Sequence, residues 1–269
     1  MRLRYFSCIE LLAPILVIVV PLCEAASPAA APKTKFTVFE ATLGEPGQKT
    51  PELSTDEFKA FLSRKNGVVL DARPNREFAI SHVPGSTSIE ETGLLRLVQT
   101  FPDRSTEIVV YASGPSSDQA RHRAEELMDL GYSKVSRYQL GLAIWRALGN
   151  AAETTAQGFR RVLAESNAVI IDARSRADYL AGTIPAAENI QAGEVGKALQ
   201  DRRLRYYDYN TRIIVFGDSA SQARAVAEEI AVNAYPNCSF FGGTYQELKR
   251  AKFFSERKPS SSNLDGPTR

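Results

Sequence analysis

Three serines, an aspartate and a histidine crowd one stretch of the chain: Tyr111-Ala112-Ser113-Gly114-Pro115-Ser116-Ser117-Asp118, with His122 four residues further on. A serine beside a histidine invites comparison with a hydrolase nucleophile, which needs a base oriented by an acid. The plainer reading is preferred here. Ser116, Ser117 and Asp118 are expected to be N-cap residues of a following helix, with His122 one turn inside it on the solvent face. A loop rich in Gly and Ser, with no acid before Asp118, suits a small oxyanion such as sulfate, thiosulfate or phosphate, because backbone N–H groups and the positive helix end converge on it.

Other chemistry is scarce. Three cysteines and two histidines in 269 residues are too few for a zinc cluster or a disulfide scaffold. No spacing implies a metal or an organic cofactor. A net charge of +2 with interspersed signs offers no stripe that neutralises many phosphates, which argues against nucleic-acid binding. The first residues read as an export signal: Arg2 and Arg4, an apolar stretch from Leu11 to Leu22, then Cys23-Glu24-Ala25, with cleavage expected after Ala25. The apolar stretch is interrupted by Pro14 and Pro21 and is shorter than the roughly 20 residues that span a bilayer, so no span is expected in the mature chain. Lipidation of Cys23 is disfavoured by bulky Leu22 before it. A periplasmic or secreted location follows as an expectation, and Cys238 is then the cysteine that the mature chain keeps.

The elements that must position the serine-rich loop occur twice. Adding 101 to the numbers of Val68-Val69-Leu70-Asp71-Ala72-Arg73 gives Val169-Ile170-Ile171-Asp172-Ala173-Arg174. Glu77-Phe78 falls on Asp178-Tyr179, Val83-Pro84 on Ile184-Pro185, and Phe58 and Leu62 on Phe159 and Leu163. Ile108 to Tyr111 then pairs with Ile213 to Phe216 at an offset of 105. The chain is therefore expected to hold a signal (1–25), a tether and N-terminal segment (26–50), copy one (51–150), copy two (155–255) and a tail (256–269).

Short apolar runs alternating with amphipathic stretches predict buried parallel strands covered by helices, an α/β fold. In copy one the pattern predicts a helix over Thr55 to Ser63 capped by Ser54 or Thr55, strands at Val68 to Leu70 and Ile108 to Tyr111, and a helix from Ser117 to Leu130 stopping at Gly131. Copy two is expected to repeat this with strands at Val169 to Ile171 and Ile213 to Phe216 and a helix from Ser221 to Ala231.

The order strand, Asp-x-Arg, acidic-aromatic pair, His-Val-Pro-Gly turn, strand, loop, helix resembles the rhodanese (sulfurtransferase) domain in both copies. Gln139-Leu140-Gly141 with Trp145, and Phe241-Gly242-Gly243, resemble its close. The resemblance implies two tandem rhodanese-like domains, each a mostly parallel sheet flanked by helices. More narrowly, the chain resembles tandem proteins of the bacterial envelope whose first loop reads Cys-x-Gly-Pro-x-Cys and whose second copy is degenerate.

In that family a cysteine ends the strand before the loop, where the nest of N–H groups lowers its pKa and stabilises a persulfide. The resemblance places the first cysteine of the loop on Ala112 and the second on Ser117, and the nucleophile of copy two on Gly217. Neither nest carries sulfur. The loop Ala112, Ser113, Gly114, Pro115, Ser116 and Ser117 is left as an anion-binding candidate, whereas Asp218 opposes an anion in copy two. By the same resemblance Asp71, Arg73, Asp172 and Arg174 belong to the scaffold, and His82 fixes the turn before Pro84-Gly85. Trp145 is read as core packing. Cys238 aligns with Val135 on a late strand and is expected to be a packed residue. The run Asp201-Arg202-Arg203-Leu204-Arg205-Tyr206-Tyr207 is expected to be a solvated linker, with a partner-contact loop as the alternative. The expected function is a catalytically silent envelope module for binding or scaffolding, with small sulfur oxyanions or a redox partner as its ligands. The alternative is a thiosulfate sulfurtransferase-type enzyme transferring sulfane sulfur. The oligomeric state is left open.

Overall fold

The computed structural model of the protein describes residues 48–205, 207–208, 210–233, 235–252 and 254. The expected export signal, most of the expected tether and the expected tail lie outside the described residues.

Copy one begins with α1 (Thr55–Arg64), β1 (Val68–Asp71), α2 (Asn75–Ile80) and β2 (Thr87–Ser88). It continues through α3 (Ile89–Thr92), α4 (Leu94–Thr100), β3 (Glu107–Tyr111), α5 (Gln119–Asp129), β4 (Lys134–Tyr138) and α6 (Gly141–Ala147). All strands run parallel in the order β2-β1-β3-β4. Their side chains alternate between two faces, as the pleat requires. Val69, Val109, Tyr111 and Tyr138 pack against Phe58, Phe61 and Trp145. Leu70, Ile108, Val110 and Val135 meet Leu97 of α4 and Ala120, Ala124 and Leu127 of α5. Both faces are covered, which explains why the strands read as continuous apolar runs.

Copy two follows with β5 (Ala152–Thr154), α7 (Ala156–Glu165), β6 (Ala168–Asp172), α8 (Arg176–Ala181), β7 (Glu188–Asn189) and α9 (Val195–Gln200). It closes with β8 (Arg212–Phe216), α10 (Ala220–Val232), β9 (Cys238–Phe241) and α11 (Tyr245–Arg250). Its parallel sheet has the order β5-β9-β8-β6-β7. Strand β5 has a counterpart in copy one: Glu52, which is 101 residues before Glu153, bridges Arg137 beside β4. There Arg137 and Glu52 form a buried ion pair at 2.9 Å.

Two expectations are corrected. The helix of the serine-rich loop starts at Gln119, not Ser117, with Asp118 at the N-cap position as expected but its carboxylate turned to Arg121 at 2.9 Å instead of to a helix N–H. Only Ser117 Oγ approaches a helix N–H, that of Gln119, at a long 3.4 Å. Among its described residues the run at 201–207 is only in part a solvated linker, with Arg202 and Arg205 exposed. Arg203 binds both Asp201 oxygens and donates to the Asn189 carbonyl at 2.6 Å, Leu204 is buried, and Tyr207 packs against the core. Asp201 sits two residues before Arg203, so its carboxylate reaches both the backbone and the guanidinium of that residue.

Candidate functional site

The C-terminal ends of β3 and β8 carry the two loops. At each, the strand's last carbonyl accepts the N–H of the residue after the Asp: Ala72 donates to Tyr111 at 2.9 Å and Ala173 to Phe216 at 2.8 Å. The next carbonyl is also matched, since Leu142 N–H donates to Ala112 at 3.0 Å and Tyr245 N–H to Gly217 at 2.7 Å. Ala112 and Gly217 thus occupy equivalent backbone positions, each the first residue beyond its strand.

Residues behind the copy-one loop hold it in shape. Gln139, buried at the end of β4, donates through Nε2 to the carbonyls of Pro115 (2.9 Å) and Ser117 (3.0 Å). Gly141 has φ +63°, and a Cβ there would stand 2.6 Å from both the Ala112 oxygen and the Gly114 nitrogen. Only glycine lets the chain pass so close beneath the loop. The Ala112 methyl is buried among Ala120, Ala124 and Val110, while Ser113 and Ser116 are exposed. Among the described residues no backbone acceptor takes the N–H groups of Ser113, Gly114 or Ser116, which leaves these donors at the head of α5. His122 is exposed on α5.

In copy two the same space is filled. Gln222, on the first turn of α10, accepts the Asp218 N–H on its Oε1 at 2.8 Å. A Cβ on Gly217 would meet that same oxygen at 2.6 Å. Ser219 caps α10 by accepting the Gln222 N–H at 3.2 Å. Burial raises the Asp218 carboxyl pKa against the lowering pull of Arg174, and the nearby carboxylates of Asp178 and Asp172 push it the same way as burial.

The Asp-x-Arg pairs sit beneath both loops and are buried. Arg73 binds Asp71 and donates to the Ser81 carbonyl at 2.7 Å, and Arg174 binds Asp172 and donates to the Gly182 carbonyl at 2.7 Å. Burial works against each guanidinium charge, but the hydrogen bonds and charge of the aspartate outweigh it and raise both pKa values. Thr183 donates to Asp172 in copy two, where copy one has His82. His82 is buried, stacked on Phe78 with ring centroids 3.9 Å apart, and its Nδ1 lies 2.8 Å from the Phe78 carbonyl. Its pKa is lowered chiefly by burial, against the raising pull of Glu153.

Cys238 opens β9 and pairs with Ile213, as Val135 pairs with Ile108. It is fully buried, and burial pushes its thiol up to about 12. From Ile213 to Gly217 the chain climbs four residues, roughly 13 Å, so the thiol sits at the far end of the sheet from the loop. Among the described residues no group of acidic, histidine or cysteine side chains is arranged to hold a metal ion, and no helix is long and apolar enough to cross a membrane.

Two kinds of residue escaped the sequence reading. Glu52 and Arg137 carry no motif, and the only hint of Glu52 was that it repeats as Glu153. Gln222 looked like an ordinary helix residue, and only the folded loop shows where its side chain goes.

A family model for the rhodanese-like domain matches residues 54–148 and again 155–251. Among solved structures, the thiosulfate sulfurtransferase from Pseudomonas aeruginosa is similar at 22% identity over 78% of this chain and 44% of that one, with a TM-score of 0.35. Wild-type EanB is similar at 19% over 79% and 62%, with a TM-score of 0.36. The Rhodanese_3-like domain of an Anabaena sp. protein is similar at 26% over 33% of this chain and 92% of that domain, with a TM-score of 0.30. This chain thus spans less than half of the Pseudomonas sulfurtransferase it matches. Such superpositions are loose, and no curated protein is similar enough to count as a relative. The family match covers most of the chain and falls on the two copies found by the repeat, so the chain belongs to the rhodanese-like domain family and carries that domain twice.

Proposed function

We propose that this is a rhodanese-like protein without sulfur-transfer activity of its own, exported across a membrane, whose copy-one loop binds a small oxyanion of sulfur or phosphorus. The observation that carries the reading is the pair of residues at the strand ends, Ala112 and Gly217. A persulfide needs a sulfur nucleophile, and a methyl group and a hydrogen atom provide none. Cys238 is no substitute, because it is buried, held as a thiol, and roughly 13 Å along the sheet from the copy-two loop. The free N–H groups of Ser113, Gly114 and Ser116 at the start of α5 supply donors for an anion. Copy two offers no such place, since Gln222 occupies it and Asp218 adds negative charge.

The test is a thiosulfate-to-cyanide assay on the purified chain with mass spectrometry in parallel. The expected outcome is no thiocyanate above the uncatalysed rate and no mass gain on Cys238. Turnover that persists after Cys238→Ser, or a persulfide on Cys238 in the folded protein, would overturn the reading in favour of a sulfurtransferase. Sulfate and thiosulfate titrations by calorimetry test the binding half, with heat expected from the wild type.

A further inference from the structure

The two copies are joined by an asymmetric contact, one surface of copy one against a different surface of copy two. Copy one contributes the end of α2 and the turn after it. The Ala79 carbonyl accepts the Thr155 N–H at 2.9 Å, the Ile80 carbonyl accepts the Thr154 hydroxyl at 2.7 Å, and His82 and Glu153 exchange backbone hydrogen bonds at 2.9 and 2.8 Å. Ser81 and Ser239 hydroxyls meet at 3.4 Å. Closeness is set by Gly158 of α7, where a Cβ would stand 1.9 Å from the Ala79 oxygen. The joint therefore has a front, on copy one, and a back, on copy two.

Because the domain is duplicated, the described residues hold a second front, on copy two, and a second back, on copy one. The groove of about 500 Å³ lined by Arg160, Leu163, Ile170, Pro185 and Ala186, with Phe254 at its side, is the counterpart, at the 101-residue offset, of Lys59, Leu62, Val69, Pro84 and Gly85, which line the cleft facing α10 of copy two. The groove of about 710 Å³ lined by Leu53, Glu57 and Ser136 corresponds to Thr154, Gly158 and Ser239 of the joint. The pair Arg224 and Glu228 on α10, which faces the joint cleft, has its like in Arg121 and Glu125 on α5.

One end, however, is altered where the joint is tightest. Thr155 sends its N–H across to Ala79, whereas its counterpart Ser54 donates its N–H to Glu57 Oε2 at 2.7 Å. Glu57 stands where the joint has Gly158, so its carboxylate takes the donor and its Cβ takes the space. Leu53 replaces the Thr154 hydroxyl, and exposed Leu180 stands at the front where the joint has buried Ala79. We propose that the front of copy two and the back of copy one are docking surfaces for a second copy of this chain, and that Leu180 on the one and Glu57 on the other keep them apart. A head-to-tail contact of this kind does not close on itself and propagates into chains, which is a hazard for any tandem repeat.

The experiment compares the wild-type chain with Glu57→Gly/Leu180→Ala by light scattering after size exclusion across a hundredfold range of concentration. The wild type is expected to keep the mass of one chain throughout. The double variant is expected to rise in mass with concentration, and adding Ala186→Arg, an exposed change in the copy-two groove, is expected to return it to one chain. Glu57→Ala is expected to stay single, since it keeps the obstructing Cβ. Three results overturn the proposal: a folded double variant that stays single, a wild type that associates equally, or association that survives Ala186→Arg. Should the double variant fail to fold, Gly158→Glu tests the same contact from inside the chain. It is expected to open the joint and enlarge the radius of gyration in solution scattering, and an unchanged radius in a folded variant also overturns it.

Discussion

At the end of β3 seven residues, 112–118, lead into α5, whereas at the end of β8 only three, 217–219, lead into α10. Both loops leave their sheet through the same backbone hydrogen bonds. The offset between the copies is 105 at the strands but 103 at the helices, where Ala120, Ala124 and Leu127 match Ala223, Ala227 and Ile230. Copy two is two residues shorter between these anchors, and its shorter loop is held by Gln222, whose Oε1 accepts the Asp218 N–H. The difference teaches that a missing nucleophile and a missing cradle are separate losses. On the proposed reading copy one lacks only the first, and copy two lacks both.

The largest effect expected from this contrast is on sulfur loading. Ala112→Cys places a thiol at the head of α5 among free N–H donors, where a thiolate is stabilised, and thiosulfate should load it with one sulfur atom. Gly217→Cys should load less, because Gln222 must first give up the Asp218 N–H to make room for the new side chain and Asp218 opposes the anionic substrate. Mass spectrometry of the two variants reads the difference. Equal loading would show that the loops are equivalent, and no loading of a folded Ala112→Cys would show that the copy-one cradle has also decayed.

How much of this contrast was legible in the sequence depends on the range of the interaction. The repeat, the strand ends and the equivalence of Cys238 with Val135 followed from periodicity and offset, because a strand's position in a parallel sheet is set by its own apolar run. The Gln222 plug, the Glu52–Arg137 pair and the clamp of Arg203 on Asp201, Glu194 and the Asn189 carbonyl were not. Each depends on where a long polar side chain turns after the backbone is fixed. The misread cap has the same root: Asp118 has N-cap chemistry, but Arg121 one turn on competes for its carboxylate.

Next in size is a test of what the two copies still share. Asp71→Ala and Asp172→Ala each leave a buried guanidinium with one carbonyl in place of its carboxylate, and breaking a buried pair this way costs about 3–5 kcal/mol. Urea unfolding followed by circular dichroism should show the two variants losing similar amounts, since each guanidinium binds its aspartate and one backbone carbonyl in the same way, with Asp172 holding the Thr183 hydroxyl besides. A loss confined to one variant would mean that only one copy limits unfolding.

The smallest effect arises from one place where this shared framework differs, His82 against Thr183. Buried and neutral, His82 has a pKa below its ordinary 6.5, so the unfolded chain takes up a proton there before the folded one does. Its contribution to stability is therefore complete above pH 6.5 and is lost as pH falls from 6.5 through the lowered folded value. Thr183 has no such dependence and instead donates to Asp172 at 2.7 Å. His82→Thr, which gives copy one the residue of copy two, should flatten the acid limb of the stability curve between pH 6.5 and 5 in chemical unfolding. Glu153 pulls the other way, since its carboxylate lies 3.9 Å from His82 Nε2 and favours the imidazolium. Glu153→Gln should accordingly steepen the limb that His82→Thr removes, and it should leave the curve unchanged when both substitutions are combined, because the carboxylate then has no imidazole to act upon.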